Sequence, residues 1–113
     1  QIMEAKQKEI ALLPYPFSDL KGTNVRPAII VSNDSFNKKS ADCIMVPLTG
    51  VIKDEPYSIL INQQDLTSGK LIKPSRIRAD KIFTVEKKII MMKIGMINNL
   101  IFEKVKQEIF KMF

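Results

Sequence analysis

Four side chains in this sequence, if they converge in the fold, would form a site that suits a phosphodiester. Arg26 stands immediately before Pro27 and a β-branched run, so a loop enters a strand at this residue. A guanidinium placed there is held at its base and offers a planar fork of donors to phosphate oxygens. Thr49 ends another apolar run and adds a compact hydroxyl donor. Arg78 and Asp80 are two residues apart, and on a strand that spacing puts both on one face.

Each of these residues also has a purely structural interpretation. Arg26 fits a surface residue that precedes a proline, and Thr49 fits a turn former at a strand end. Arg78 and Asp80 fit a solvated ion pair, which stabilises a protein by at most about 1 kcal/mol. If the four converge, Phe17 at the loop edge could stack on a nucleobase, but it is explained equally well as a core residue.

Length and composition restrict the class of protein. The chain has 113 residues, of which 45% are hydrophobic, so residues 1–113 are expected to form a single folded domain. The net charge of +6 suggests an anionic partner such as nucleic acid, a membrane surface or an acidic protein, although a lysine-rich soluble surface carries the same charge. The sequence has no histidine, which removes the usual general base and the usual zinc ligands. We therefore expect no metal site and no cofactor.

The cysteine content and the hydrophobic runs bear on location. Cys43 is the single cysteine, which allows no internal disulfide and fits a reducing, cytoplasmic compartment. Its neighbours Ile44 and Met45 predict a buried structural thiol ahead of a nucleophile. No apolar run approaches the roughly 20 residues that span a bilayer. A membrane-surface partner is not expected either, because the one clear amphipathic helix, at the C-terminal end, has an apolar face that a small barrel needs as cover.

Short apolar runs between Pro-, Gly- and Asn-rich stretches predict β-strands. The predicted strands cover residues 9–17, 25–33, 42–48, 57–62, 77–85 and 88–94. The last of these is ambiguous between strand and helix. Between them, the polar segments 33–40 and 63–70 predict turns with short helical pieces, capped by Asp34 and by Asp65 or Thr67.

One longer helix is predicted at the C-terminal end. It begins at Asn98 or Asn99 and continues through Lys111, because the apolar residues there follow helical spacing. These apolar residues are Phe102, Val105, Ile109 and Met112. Short strands with a terminal helix predict a mostly β protein with α (α+β), built as a small, partly open antiparallel β-barrel of five or six strands.

The order of four segments resembles the MazF/PemK family of toxin endoribonucleases. The segments are Leu-Leu-Pro-Tyr-Pro-Phe-Ser-Asp-Leu-Lys-Gly at 12–22, Val-Arg-Pro-Ala-Ile-Ile-Val-Ser-Asn-Asp at 25–34, Ile-Met-Val-Pro-Leu-Thr at 44–49, and Gly-Lys-Leu-Ile-Lys-Pro-Ser-Arg-Ile-Arg-Ala-Asp-Lys-Ile-Phe-Thr-Val at 69–85. The Arg-Pro-apolar strand and the Pro-x-Thr strand end are the specific parts. The resemblance continues through residues 94–97 and the C-terminal helix, so it covers nearly the whole chain.

The resemblance implies an SH3-like barrel that usually forms a homodimer, and sequence-specific cleavage of single-stranded RNA, often messenger RNA. It also implies neutralisation by a cognate antitoxin whose disordered segment wraps the dimer and blocks the site. The reaction implied is attack by a ribose 2′-OH on the adjacent phosphorus, which leaves a 2′,3′-cyclic phosphate and a 5′-OH without any metal.

The resemblance also assigns roles to individual residues. Arg26 matches the family's catalytic arginine and Thr49 its catalytic Ser/Thr. Arg78 and Asp80 match residues that some members use in cleavage or RNA contact, and Asp80 is a possible general base. Phe17 and Ser18 match the mobile loop that holds the substrate. The chain departs from the family at Lys8-Glu9, where Gly-Asp is usual, and it lacks the first-loop histidine of some members.

Two other functions remain open on the same fold. One is a gyrase poison of the CcdB group, which acts through C-terminal residues that include a tryptophan; this chain has no tryptophan, which argues against that function. The other is a non-catalytic RNA-binding module. In either RNA-directed function, base specificity would lie in the loops near residues 15–25 and 50–56.

Overall fold

The computed structural model describes residues 4–15 and 24–113, the side chain of Tyr15 excepted. In chain order, the strands are β1 (Glu9–Tyr15), β2 (Asn24–Ile30), β3 (Asp42–Thr49), β4 (Ser58–Ile61), β5 (Leu66–Gly69), β6 (Ser75–Arg78), β7 (Phe83–Glu86) and β8 (Met92–Ile97). The helices are α1 (Asp34–Lys39) and α2 (Asn99–Phe110). Single 3-10 turns lie at Gln63–Asp65, Ala79–Lys81 and Lys87–Ile89.

The strands form one antiparallel sheet in the order β4-β6-β3-β2-β1-β8-β5. Strand β3 pairs with β2 along one side. Its other side is shared by β7, which pairs with Asp42–Met45, and by β6, which pairs with Leu48 and Thr49. A sheet that divides in this way curls into a half-open barrel. The predicted mostly β fold with a C-terminal helix is confirmed, although the described part of the chain has eight strands and not five or six.

Alternation along the central strands gives the sheet an apolar core on each face. One core contains Ile10, Ile29 and Val46 and is covered by α2. The other contains Leu13 and Met45. Helix α2 begins as predicted, since the Asn98 side chain accepts a hydrogen bond from the Ile101 N–H (2.8 Å). No helix in the described ranges is long and apolar enough to span a membrane.

Several predictions of element bounds and caps need correction. Helix α1 is capped by Asn33 and not by Asp34, because the Asn33 side chain accepts from the Phe36 N–H (2.8 Å). Strand β2 ends at Ile30, short of the predicted residue 33. Strand β5 occupies Leu66–Gly69, within a segment predicted as turns. Its pairing partner is β8, which begins at Met92, later than predicted.

The segment predicted as one strand over 77–85 is interrupted. Strand β6 ends at Arg78, a 3-10 turn follows at Ala79–Lys81, and β7 begins at Phe83. The Ala79 N–H donates to the Tyr57 carbonyl (3.0 Å), which fixes the start of the turn. The interruption moves the chain from the end of β3 to its beginning, where β7 pairs. Asp80 therefore lies in a turn and not on a strand.

Candidate functional site

Strand register brings the two principal candidates, Arg26 and Thr49, to one end of the sheet. Strands β1 and β2 pair Leu13 with Arg26, and strands β2 and β3 pair Ala28 with Pro47. Two residues further along, β2 reaches Arg26 and β3 reaches Thr49. Because side chains alternate between faces, both leave the sheet on the same face. Arg26 is exposed and Thr49 is partly buried.

The Thr49 hydroxyl is oriented by the backbone two residues further along the chain. Its oxygen accepts a hydrogen bond from the Val51 N–H (3.1 Å). A hydroxyl has one proton to donate besides the lone pairs through which it accepts. Among the residues that the structure describes, none accepts that proton, so the hydroxyl can donate it to a bound phosphate oxygen.

Arg78 and Asp80 form a bidentate ion pair. Arg78 Nε donates to Asp80 Oδ1 (2.9 Å) and Arg78 Nη2 donates to Asp80 Oδ2 (2.8 Å). The hydrogen bond from Arg78 lowers the pKa of Asp80, and the same bond raises the pKa of Arg78. Asp80 is thus a weaker base than a free aspartate, with both oxygens already engaged. In this arrangement Asp80 is better suited to be the ion-pair partner of Arg78 than to act as a general base.

Arg76 is a component of this region that the sequence analysis missed. It pairs with Thr49 in the register of β3 and β6, so it shares the face of Thr49, and it lies two residues before Arg78. Arg76 is 8% exposed. Its Nη2 donates to the Ile52 carbonyl (3.2 Å), and its Nη1 lies 3.6 Å from an Asp54 oxygen. The alternation Arg-x-Arg was the signal for a second arginine on this face.

Lys73 adds a further positive charge beside the end of β3. A Cβ built on Gly50 would lie 2.9 Å from Lys73 Nζ, so the ammonium group rests against this glycine. Gly50 directly follows Thr49. Four cationic side chains thus lie around Thr49, namely Arg26, Arg76, Arg78 and Lys73, and carboxylates pair with Arg76 and with Arg78.

A pocket of about 580 Å³ lies outside this face. Its walls include Leu12 and Pro27, whose side chains alternate with those of Leu13 and Arg26 and point to the opposite face of the sheet. It also includes Met92 and Ile94, and its lining is mainly apolar. The pocket and the charged site lie on opposite faces of the sheet, but they adjoin at Lys73, which lines the pocket and also rests against Gly50.

The remaining candidates are placed as follows. Phe17 and Ser18 lie outside the described residues. Cys43 is a fully buried free thiol, and burial raises its pKa to about 11, which confirms the structural interpretation. Within residues 4–15 and 24–113, no cluster of three or more His, Cys, Asp or Glu residues could hold a metal ion.

The chain matches a family model over nearly its whole length. Residues 6–113 match the family model described as a PemK-like, MazF-like toxin of type II toxin-antitoxin systems. The chain belongs to this family. A search of curated proteins found no match.

Solved structures with the same fold have low sequence identity. An endoribonuclease from a mycobacterial species is 21% identical, with a TM-score of 0.75 over 97% of this chain and 91% of the other. A mycobacterial endoribonuclease in complex with its cognate antitoxin is 23% identical, with a TM-score of 0.74 over 94% and 91%. A MazE-MazF crystal structure from Deinococcus radiodurans is 14% identical, with a TM-score of 0.78 over 97% and 96%. At these identities the likeness establishes the fold.

Proposed function

We propose that this protein is an endoribonuclease toxin that cuts single-stranded RNA, with messenger RNA as its cellular target. The observation that carries the proposal is the strand register that brings Arg26 and Thr49 to the same end and the same face of the sheet. Family membership and the mycobacterial structures named as endoribonucleases support it. No metal or other cofactor takes part in the reaction that we propose.

The proposed reaction is an intramolecular transesterification. The 2′-oxygen attacks the adjacent phosphorus and loses its proton to a base, while the bond from phosphorus to the 5′-oxygen breaks and that oxygen gains a proton. The products are a 2′,3′-cyclic phosphate and a 5′-OH. Arg26 binds the non-bridging oxygens through its planar fork, and the Thr49 hydroxyl donates to one of them, so both stabilise the charge that develops in the transition state.

The other candidates have supporting roles. Arg78 is cationic, as arginines in proteins are, and contacts the RNA backbone. Asp80 keeps the Arg78 fork oriented. Phe17 and Ser18 hold the substrate, as the family resemblance implies. The identity of the general base is left unassigned.

Partners and location complete the proposal. Solved relatives carry a cognate antitoxin or MazE, which supports a cognate antitoxin as the inhibitor of this chain. We further propose that the single domain of residues 1–113 forms a homodimer and acts in the cytoplasm. A net charge of +6 suits both an RNA and an acidic antitoxin segment.

The test is cleavage of a long single-stranded RNA in the presence of EDTA. The purified protein is compared with Arg26→Ala, Thr49→Ala and, as a control on the outer side of α2, Lys104→Ala. We expect discrete fragments from the parent and from Lys104→Ala, and almost none from the two site variants. Intact RNA in every lane, with all proteins folded, would contradict the proposal.

One observation favours a second candidate, a non-catalytic RNA-binding protein of the same fold. Asp80, the carboxylate nearest in sequence to the site arginines, is already engaged by Arg78. A folded parent that binds RNA without cutting it would support this alternative.

A further inference from the structure

We propose that Arg76 is a positioning residue of the cleavage site and that it sets RNA sequence selectivity by anchoring the 50–57 segment, which connects β3 to β4. This inference rests on the proposed function. It concerns a residue that lies beside Thr49 in the strand register but does not itself contact the reacting phosphate.

The guanidinium of Arg76 holds the segment at its middle and at its end. Nη2 donates to the Ile52 carbonyl (3.2 Å), and Nη1 forms an ion pair with Asp54 (3.6 Å). Nη1 also donates to Ser58 Oγ (3.3 Å), at the first residue of β4. One side chain thus joins the strand that pairs with Thr49 to both arms of the segment that follows Thr49.

The segment depends on this anchor because its side chains have little core to pack against. Val51 is 68% exposed and Ile52 is 52% exposed. Other bonds secure its two ends: Val51 N–H to Thr49 Oγ1, and Ala79 N–H to the Tyr57 carbonyl. Between those ends, two hydrogen bonds among the described residues tie the stretch to the sheet: Arg76 Nη2 donates to the Ile52 carbonyl, and Ser58 Oγ, which itself accepts from Arg76, donates to the Glu55 carbonyl.

The position of the segment matters to the proposed site in two ways. Its Val51 N–H orients the Thr49 hydroxyl, so a displaced segment would turn the donor away from the phosphate. Its exposed apolar side chains stand next to the strand end where the RNA would pass, so they can contact the bases that flank the cut. Moving Ile52 would therefore change which bases fit.

Stability alone does not account for Arg76. The residue is 8% exposed, and its Nε has no hydrogen-bond partner among the described residues. A buried donor without a partner is destabilising. Its ionic partner Asp54 has a side chain that is 94% exposed, so solvent weakens that pair. Burying Arg76 therefore costs free energy of folding, and its anchoring of the 50–57 segment accounts for its presence here.

The test compares cleavage patterns of the parent and Arg76→Lys on one long RNA. Lysine keeps the charge but lacks the fork that reaches Ile52 and Ser58 together. We expect cuts at secondary sequences to rise about fivefold relative to the preferred sequence, kcat to fall about tenfold and KM to change less than about threefold. The ratio between fragments does not depend on how much of the protein is folded.

Two matched controls isolate the effect. Lys104→Met removes a positive charge from the outer side of α2 and leaves the fragment ratios unchanged. Val105→Ala weakens the buried face of α2, where Val105 is fully buried, and lowers all fragments by the same factor. If Arg76→Lys does not fold, the test uses Asp54→Asn, a substitution at an exposed position. We expect it to raise the fraction of cuts at secondary sequences as well, but by less than Arg76→Lys would.

The outcomes separate this inference from the proposed function. If the parent cuts RNA and the folded Arg76→Lys variant keeps the parental ratios, the anchoring role is wrong and the nuclease assignment stands. If the parent cuts nothing, the proposed function fails and the inference fails with it. Relaxed ratios in Arg76→Lys, with parental ratios in both controls, support the anchoring role.

Discussion

At the scale of single residues, the geometry of Arg26 matters more than its charge. A guanidinium offers two parallel N–H bonds to a phosphate, whereas a lysine in its place offers a point charge. We expect Arg26→Lys to slow single-turnover cleavage by about 100-fold while RNA affinity changes little. Affinity is measured on an RNA with a 2′-deoxy nucleotide at the cut position, which lacks the nucleophile. If Arg26→Lys cleaved RNA at the parental rate, the planar guanidinium of Arg26 would not be required for the reaction.

The Arg78–Asp80 pair predicts a pH dependence of stability. The bond from Arg78 lowers the pKa of Asp80 in the folded state, so the pair contributes stability above the unfolded aspartate pKa of about 3.9, and this is lost as pH falls through the lower folded value. We expect Asp80→Asn to lower the free energy of unfolding by about 1 kcal/mol at neutral pH, since both side chains are partly exposed.

Denaturant unfolding of the parent and Asp80→Asn at pH 7 and near pH 2 measures this difference. The gap between the two proteins should narrow as the pH falls, because the parent loses its pair while the variant has none to lose. A gap that is equal at both pH values would mean that the amide perturbs something other than the ion pair.

The site was only partly predictable from individual residues. Arg26 and Thr49 were predicted as site residues because each adjoins a recognisable apolar strand, and side chains at strand ends can reach a bound ligand. Arg76 was missed because its partner atoms belong to Ile52, Asp54 and Ser58, which are distant in sequence and have no pattern of their own. A buried arginine is recognised by its contacts, and contacts of this kind appear only in the folded chain.

At the scale of elements, the pairing of β5 with β8 depends on a close backbone approach at Gly69. This glycine has a φ of +83°, and a Cβ there would lie 2.1 Å from the Ile94 carbonyl oxygen. We expect Gly69→Ala to lower the free energy of unfolding by about 2 kcal/mol or more, because the backbone is strained and the strands must separate. Thermal or denaturant unfolding measures the loss.

Gly50→Ala is the matched control for that prediction. A Cβ at Gly50 meets only the flexible end of Lys73, which can move aside. Its effect on unfolding should therefore stay within about 0.5 kcal/mol. Equal losses in the two variants would show that the cost does not come from the β5–β8 contact, because the less flexible unfolded chain of a Gly→Ala variant favours the folded state.

Element boundaries were predicted correctly where the hydrophobic pattern was strong. Helix α2 was predicted because its apolar stripe and its Asn98 cap agree. Strand β5 was not, because its sequence, Leu-Thr-Ser-Gly, has a single large apolar residue and pairs at the edge of the sheet. The 3-10 turn at Ala79–Lys81 was hidden because Arg-Ala-Asp-Lys-Ile also fits an alternating strand, and the bond to Tyr57 that fixes the turn is long-range.

At the scale of the whole molecule, the positive charge should govern RNA binding. The net charge is +6, and Arg26, Arg78 and Lys73 lie around the end of β3 near Thr49. Each phosphate neutralised by such a group releases condensed counterions, so the logarithm of the association constant falls with the logarithm of salt concentration at about 0.7 per contact on a single strand. We expect a slope near −2 for the uncleavable 2′-deoxy RNA, for about three contacts.

Two variants locate the origin of that slope. Arg26→Ala should make it shallower by about 0.7, the value for one lost contact, while Lys104→Ala, on the far side of α2, should leave it unchanged. Fluorescence anisotropy titrations between 50 and 200 mM salt provide the measurement. If both variants changed the slope equally, the positive charge would act as a diffuse field over the whole surface. The end of β3 would then not be the specific RNA-binding site.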